Sequence, residues 1–364
     1  MSNRKARVIA FYLPQYHPIP ENDRWWGAGF TEWTNVAKAK PLFRGHQQPV
    51  LPGELGFYDL RVAETRDAQA ALARQYGIEA FCYYHYWFGN GRRLLERPFE
   101  EVLASGKPDF PFCLCWANQT WSGIWHGEPK RTLIEQTYPG PEDHDAHFAV
   151  LLRAFRDPRY LRVDGKPLFV IYEPYAIPDL ADLLARWQAA ARANGLPGLH
   201  FVLHQHELAP GQHDPQLFAG YLMPRIRSTN HPVHWRNMKN RLKRQFHRWM
   251  GHPTVIDYAE AMDFAMNEPR PGVPLVNYPC VLPNWDNTPR SGSRGLVLKG
   301  ADPEKFRKPL RAAIVQVQDR PAEDRLVFLK SWNEWAEGNF VEPDAKFGRR
   351  FLEVLDEETA GSLL

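Results

Sequence analysis

Cysteine is scarce in this 364-residue chain: there are four, Cys82, Cys113, Cys115 and Cys280, and no C-x-x-C pair. A disulfide framework or a thiolate zinc site needs more cysteines at closer, paired spacing, so these four read as reduced thiols inside the core of a cytoplasmic protein. Long hydrophobic runs are missing too. The basic stretch MSNRKARVIAFYLPQYHP has only a short apolar run before Pro14, too short for a secretion signal or a membrane span, and the whole chain is expected to be the mature one. A glycine-rich phosphate loop is absent, which argues against nucleotide chemistry, and no cofactor is expected. There is no internal repeat, low-complexity tract or interdomain linker, so residues 1–364 read as one catalytic domain.

Carboxylates are missing from one long segment. None occurs between Asp214 and Asp257, where Arg225, Arg227, Arg236, Lys239, Arg241, Lys243, Arg244 and Arg248 all fall. Without those eight the chain is net negative, although its overall charge is +3. Within this basic insertion (224–256), the stretch WRNMKNRLKRQFHRW (235–249) sets Trp235, Met238, Leu242 and Trp249 at helical spacing. Such a helix either lies on an anionic membrane as a peripheral contact or packs its apolar stripe on the core. No recognition motif accompanies the charge, so nucleic acid is not an expected partner.

What is present is an alternation. The apolar runs at 8–14, 78–84, 110–116, 167–172, 199–204, 219–223, 278–282 and 326–330 read as strands. Helical patterns separate them at 61–76, 142–155, 178–193 and 303–318. Near-continuous apolar strands between helices call for a parallel sheet buried on both faces. Eight such units predict an α/β fold of the (β/α)8 TIM-barrel type with extended βα loops, with a doubly wound open sheet as the alternative.

A barrel carries its chemistry where strands end. Tyr16 and His17 follow the first strand, then the loop with Trp25, Trp26 and Trp33; Tyr84 and His85 close the second. Trp116, Asn118, Gln119, Trp121 and Trp125 follow the third, and His204 and His206 the fifth. Trp285, Asp286, Asn287 and Arg290 follow the seventh. The eighth opens into SWNEWAEGNFVEPD (331–344), with Trp332, Asn333, Glu334, Trp335, Glu337 and Glu342. The tryptophans are suited to stacking on sugar faces or to packing, and the amides, Asp286 and Arg290 to binding hydroxyls or bracing loops. His204 and His206 alternate as strand ligands could, with His85 or His17 as a third, but no motif supports a metal and none is expected.

Glycoside cleavage needs one carboxyl group to protonate the leaving oxygen and a second to act as nucleophile or base. Glu334 and Glu337, three apart on a tight or first helical turn, share a side; mutual repulsion and the flanking Trp332 and Trp335 would raise one pKa. The competing interpretation is a solvated helix start.

FYLPQYHPIPEND, WWGAGFTEWTNV, FCYYHYWF, CWANQTW, PNWDNTPR and SWNEWAEGNFVEPD, in order from Phe11 to Asp344, resemble the WbsX-like family associated with bacterial surface polysaccharide loci. That family is similar to glycoside hydrolase family 99, the endo-α-mannosidase barrels. The resemblance implies a retaining mechanism through an epoxide between C1 and C2, with Glu334 deprotonating the 2-hydroxyl and Glu337 serving as acid, then base. It also implies an oligosaccharide or polysaccharide substrate. The stretch LFAGYLMPRIRSTNHP (217–232) departs from a mannosidase subsite, and WbsX-like members are described as transferases, so sugar identity and reaction direction do not carry over. The expectation is a retaining glycoside hydrolase or transglycosidase. The alternatives are a glycosyltransferase of O-antigen or other surface polysaccharide, and a noncatalytic glycan-binding barrel.

Overall fold

A computed structural model describes residues 4–123, 128–204, 217–224, 251–267 and 275–361. Trp125, His206 and the basic stretch 235–249 lie outside the described residues.

Eight strands run in chain order: β1 (Arg7–Tyr12), β2 (Ile78–His85), β3 (Phe112–Trp116), β4 (Lys166–Ile171), β5 (His200–His204), β6 (Gly220–Pro224), β7 (Val276–Val281) and β8 (Leu326–Leu329). Each pairs in parallel with the next, and β8 returns to β1 in the register Arg7↔Leu326 to Ala10↔Leu329. The sheet is therefore a closed TIM barrel, as the alternation predicts, not an open doubly wound sheet. All eight runs identified in the sequence supply its strands.

The strands are apolar throughout because both faces are covered. In β1 every residue from Val8 to Tyr12 is buried, and the same holds for all of β3 and β8. The helices α1 (Ala63–Gln75), α2 (Arg97–Ser105), α3 (Pro141–Phe155), α4 (Leu180–Ala193), α5 (Tyr258–Asn267), α6 (Pro303–Val317) and α7 (Arg350–Thr359) follow among them. Helix α6 shows the local logic. Pro303 sits in its first turn, the Asp302 carboxylate accepts the Lys305 N–H at 2.9 Å, and Phe306, Leu310, Ala313, Ile314 and Val317 recur at helical spacing on the buried side.

Cys82, Cys113 and Cys115 are buried in strands, Cys280 is half-buried, and none is bonded to another. Among the described residues no helix is long and apolar enough to cross a membrane.

Candidate active site

The chain leaves β8 through Lys330 and Ser331. The Ser331 hydroxyl accepts the N–H groups of Asn333 (3.0 Å) and Glu334 (2.9 Å), folding the backbone over at once. Asn333–Glu334 then pairs antiparallel with Asn339–Phe340, and the intervening Trp335–Glu337 forms one 3-10 turn. Glu334 stands immediately before this turn and Glu337 ends it, and both line the same cleft. Gly338 ends the turn at φ +53°. A Cβ there would lie 2.7 Å from the Asp286 nitrogen, whose N–H donates to the Glu337 carbonyl at 2.8 Å. Only glycine satisfies both demands.

The cleft has a volume of about 590 Å³ and opens at the C-terminal ends of the strands. Two cations, Lys330 buried and Arg290 partly buried, serve its acids differently. Arg290 donates from Nη1 to Glu337 Oε1 at 2.6 Å and from Nε to Glu32 Oε2 at 3.0 Å. Burial opposes its charge, but Glu32 and Glu337 outweigh that and hold the guanidinium more firmly protonated than usual. Lys330 donates to the Tyr84 hydroxyl at 2.9 Å and stands 3.8 Å from Glu334 Oε2. Burial pushes the Glu334 carboxyl up to about 7; Lys330 opposes the rise, Glu337 adds to it, and Arg290 again opposes it. The flanking tryptophans expected from the sequence do not line the cleft. Trp332 is core, against Phe81, and Trp335 stacks on Phe340 at 3.8 Å behind the turn.

Of the residues singled out in the sequence, Trp26, Tyr84, Gln119, Trp121, Trp285, Asn287 and Arg290 line this cleft with the two glutamates. Others lie elsewhere for identifiable reasons. Tyr16 is fully buried, its hydroxyl donating to the Asn333 carbonyl and accepting the Trp335 N–H. Asn333 accepts the Leu13 N–H at 2.7 Å and donates to the Leu13 carbonyl, sewing the end of β8 to the end of β1. Trp33 donates to the Tyr58 carbonyl within an aromatic cluster, and Trp116 to the Trp87 carbonyl. Asn118 is buried and braces the loop after β4, donating to the Glu173 carbonyl and accepting its N–H.

Glu342 is also behind the cleft, accepting from Tyr58 (2.9 Å), Gln69 (2.6 Å) and Trp335 (2.6 Å). Burial pushes its carboxyl up to about 7 against those bonds. Asp286 is spent on structure: it accepts from Gln48 and Thr288 and pairs with His46 Nε2 at 2.7 Å. His17 is buried away from the cleft, and burial lowers its pKa to about 4. His85 meets His147 at 2.8 Å, burial again driving its pKa down, to about 3. His204 stacks on Tyr172 at 4.0 Å between ring centroids. With His85 and His17 held elsewhere, the histidine site considered from the sequence does not assemble among the described residues, where no group of three or more candidate ligands is placed to hold a metal.

Sequence reasoning passed over Glu32, Tyr86, Tyr172, Arg294 and Lys330, which line the same cleft. The signal for Lys330 was a cation closing the apolar run LVFLK, and for Glu32 the single carboxylate inside WWGAGFTEW.

The family model described as Glycosyltransferase WbsX matches residues 8–355. The chain belongs to the WbsX family. This WbsX chain is 41% identical over 351 residues to a protein called "Uncharacterized protein WxcX" from Xanthomonas campestris pv. campestris, in each of two strains. The match covers 96% of the chain and 49% of the relative, so the chain spans about half the length of those relatives. Among solved structures, the fold is similar to the GH99 endo-alpha-mannosidase from Bacteroides thetaiotaomicron, at TM-score 0.55 and 17% identity over 97% of this chain and 96% of that one. A "Glycoside hydrolase-like protein" gives TM-score 0.58 and 15% identity over 100% and 96%. At such identities the likeness is one of fold.

Proposed function

We propose that this chain is a carbohydrate-active enzyme that opens a glycosidic bond with retention and passes the sugar to water or to another sugar's hydroxyl. The substrate class is a bacterial surface polysaccharide or a mannose-like glycan. Glu334 takes the proton of the 2-hydroxyl, whose oxygen closes on C1 as the bond to the leaving sugar breaks. That leaving oxygen receives the proton of Glu337. Water or an acceptor hydroxyl then adds to C1 as the C1–O2 bond breaks, giving its proton to Glu337, and O2 recovers its proton from Glu334.

The observation supporting this most directly is that both glutamates line one cleft and that the carboxyl of Glu334 is pushed up to about 7, where a base is effective near neutrality. The Glu337 pair with Arg290 must lengthen for Glu337 to carry a proton, and Glu32 is the second carboxylate that would retain the guanidinium. Trp26, Trp121 and Trp285 offer ring faces to the sugar, and Tyr84, Gln119 and Asn287 offer polar groups to its hydroxyls.

The test incubates wild type and Glu337→Gln with bacterial surface polysaccharides and α-mannans, following reducing ends and anomeric configuration by proton NMR. The expected result is release with retention by wild type alone. Equal release by Glu337→Gln sinks the assignment. The family's description as glycosyltransferases favours a second reading, transfer from an activated donor. Turnover appearing only when a nucleotide- or lipid-linked sugar is supplied would establish that reading instead.

A further inference from the structure

Each of the two proposed catalytic carboxylates has its own cation, held in a different way. Arg290 touches Glu337 directly, at 2.6 Å. The ammonium of Lys330 is held off Glu334 at 3.8 Å. It is held there by the Tyr84 hydroxyl at 2.9 Å and by three aromatic rings, Phe11, Tyr84 and Tyr172, whose centroids lie 5.5, 5.6 and 5.7 Å from Nζ. Those rings come from β1, from β2 and from just beyond β4, so the lysine is fixed by the barrel wall and not by the catalytic turn. A cation buried to 4% exposure in such a cage keeps its charge only if an anion is close, and Glu334 is the anion.

We propose that Lys330 is a positioning residue of the reaction: from its aromatic cage it holds the Glu334 carboxylate ionised and available to take a proton from a substrate hydroxyl. The inference rests on the base role of Glu334 put forward above and adds a second group to it. In the step itself the substrate O–H bond breaks and an O–H bond forms on Glu334, while Lys330 stays protonated throughout. The 3.8 Å separation is what the role requires. A direct salt bridge would occupy the carboxylate oxygen that must accept the proton, whereas a cation just beyond hydrogen-bond distance favours the anion without blocking it.

Of the other groups around Glu334, Arg290 also favours its anion, but less than Lys330 does. Glu337 and Glu32 repel it, and Arg290 is committed by hydrogen bonds to both of those. Tyr84 and Tyr86, with Cys115 of β3, are buried, Tyr172 and Cys280 of β7 are half-buried, and the loss of solvent pushes each of them up and holds it neutral. Asn339 donates to Glu334 Oε2 at 3.4 Å, a long bond from a neutral amide. Consistently, burial works against the Lys330 ammonium, yet Glu334 and its neighbours keep it more firmly protonated than a free lysine.

The test does not need turnover. The full chain is labelled with carbon-13 at glutamate side chains, the Glu334 resonance is assigned by its loss in Glu334→Gln, and its titration is followed by NMR in wild type, Lys330→Met, Lys330→Gln and Lys330→Arg. Lys330→Met is an unbranched apolar replacement, one atom shorter than lysine, that suits the aromatic cage, and Lys330→Gln provides a second, polar neutral replacement. In either neutral variant the Glu334 midpoint is expected to rise by at least one pH unit, a tenfold fall in the ratio of anion to acid at a given pH. Lys330→Arg is expected to hold it near wild type. A midpoint unmoved in whichever neutral variant folds overturns the proposal. With any glycan that wild type cleaves, the rising limb of the pH–rate profile should move up with the same midpoint. If no glycan is cleaved but the midpoint moves, the lysine's hold on Glu334 stands and only the proposed reaction falls.

Discussion

Gly338 and Gly348 form a matched pair that isolates one requirement of the turn carrying Glu334 and Glu337. Both adopt a left-handed backbone, at φ +53° and +55°, so alanine meets the same conformational penalty at each, about 1–2 kcal/mol. Loss of unfolded-state freedom returns about 0.4–1 kcal/mol of it. At Gly348 nothing lies within 4 Å of the added carbon, and the net cost of Gly348→Ala should stay near 1 kcal/mol. At Gly338 the carbon would sit 2.7 Å from the Asp286 nitrogen, 2.8 Å from its Cβ and 2.9 Å from its carbonyl oxygen, all parts of a fixed loop. Forcing that fit costs roughly 1–3 kcal/mol. It also stretches the Asp286 N–H bond to the Glu337 carbonyl, worth about 1 kcal/mol more. Gly338→Ala should therefore be less stable than Gly348→Ala by about 2–4 kcal/mol, read from urea denaturation followed by tryptophan fluorescence. Because the shift falls on the residue after Glu337, it should also abolish any activity that Gly348→Ala retains. Equal stability losses at the two positions would refute the argument that the turn is pressed against the Asp286 loop.

Two further outcomes test assignments made from burial. The Glu334 and Glu342 carboxyls are both held near 7, above their unfolded value of about 4.3, so the native state binds more protons between those limits. Stability is thus greatest below about pH 4.3 for these two groups and falls as pH rises through about 7, on the order of 3 kcal/mol each. Glu342→Gln should remove roughly half of that decline, seen as a smaller difference in urea midpoint between pH 5 and pH 7.5; an unchanged difference would contradict the burial assigned to Glu342. Asn118→Ala deletes bonds to the Glu173 carbonyl (2.7 Å), the Glu173 N–H (2.8 Å) and the Tyr138 hydroxyl (2.9 Å). It should cost on the order of 2–3 kcal/mol of stability without altering glycan affinity at a temperature where it is folded. Weakened binding at undiminished stability would return Asn118 to the site.

The barrel was legible because its signal is redundant: eight apolar runs, each bounded by polar loops, leave few other ways to bury both faces of a sheet. The glutamate pair was legible because a single short turn separates the two residues, so neighbours in sequence stay at one cleft in space. The polar residues around it were not. Asn118, Asn333, Asp286 and Glu342 carry the same side chains a sugar site would use, and all four are consumed by backbone and loop contacts. At the mouth of a barrel every strand ends in unpaired backbone groups, and buried loops must satisfy them with side chains. Composition cannot separate an amide that binds a loop from one that binds a sugar, since both are a matter of direction.

The same reasoning explains why the cations were harder to find than the acids. A lysine at the end of LVFLK reads as a strand meeting solvent, the ordinary fate of a lysine. Its burial follows only when β1, β2 and the chain beyond β4 close around it with Phe11, Tyr84 and Tyr172, and those are separated from it by more than 150 residues of sequence. Glu32 and Arg290, 258 residues apart, are likewise joined only by closure of the barrel. The acids of this cleft are thus a local property of one turn, while the charges that set their protonation are a property of the closed fold. A substitution that loosens the barrel wall near Tyr84 should therefore change how Glu334 titrates before it changes where Glu334 sits.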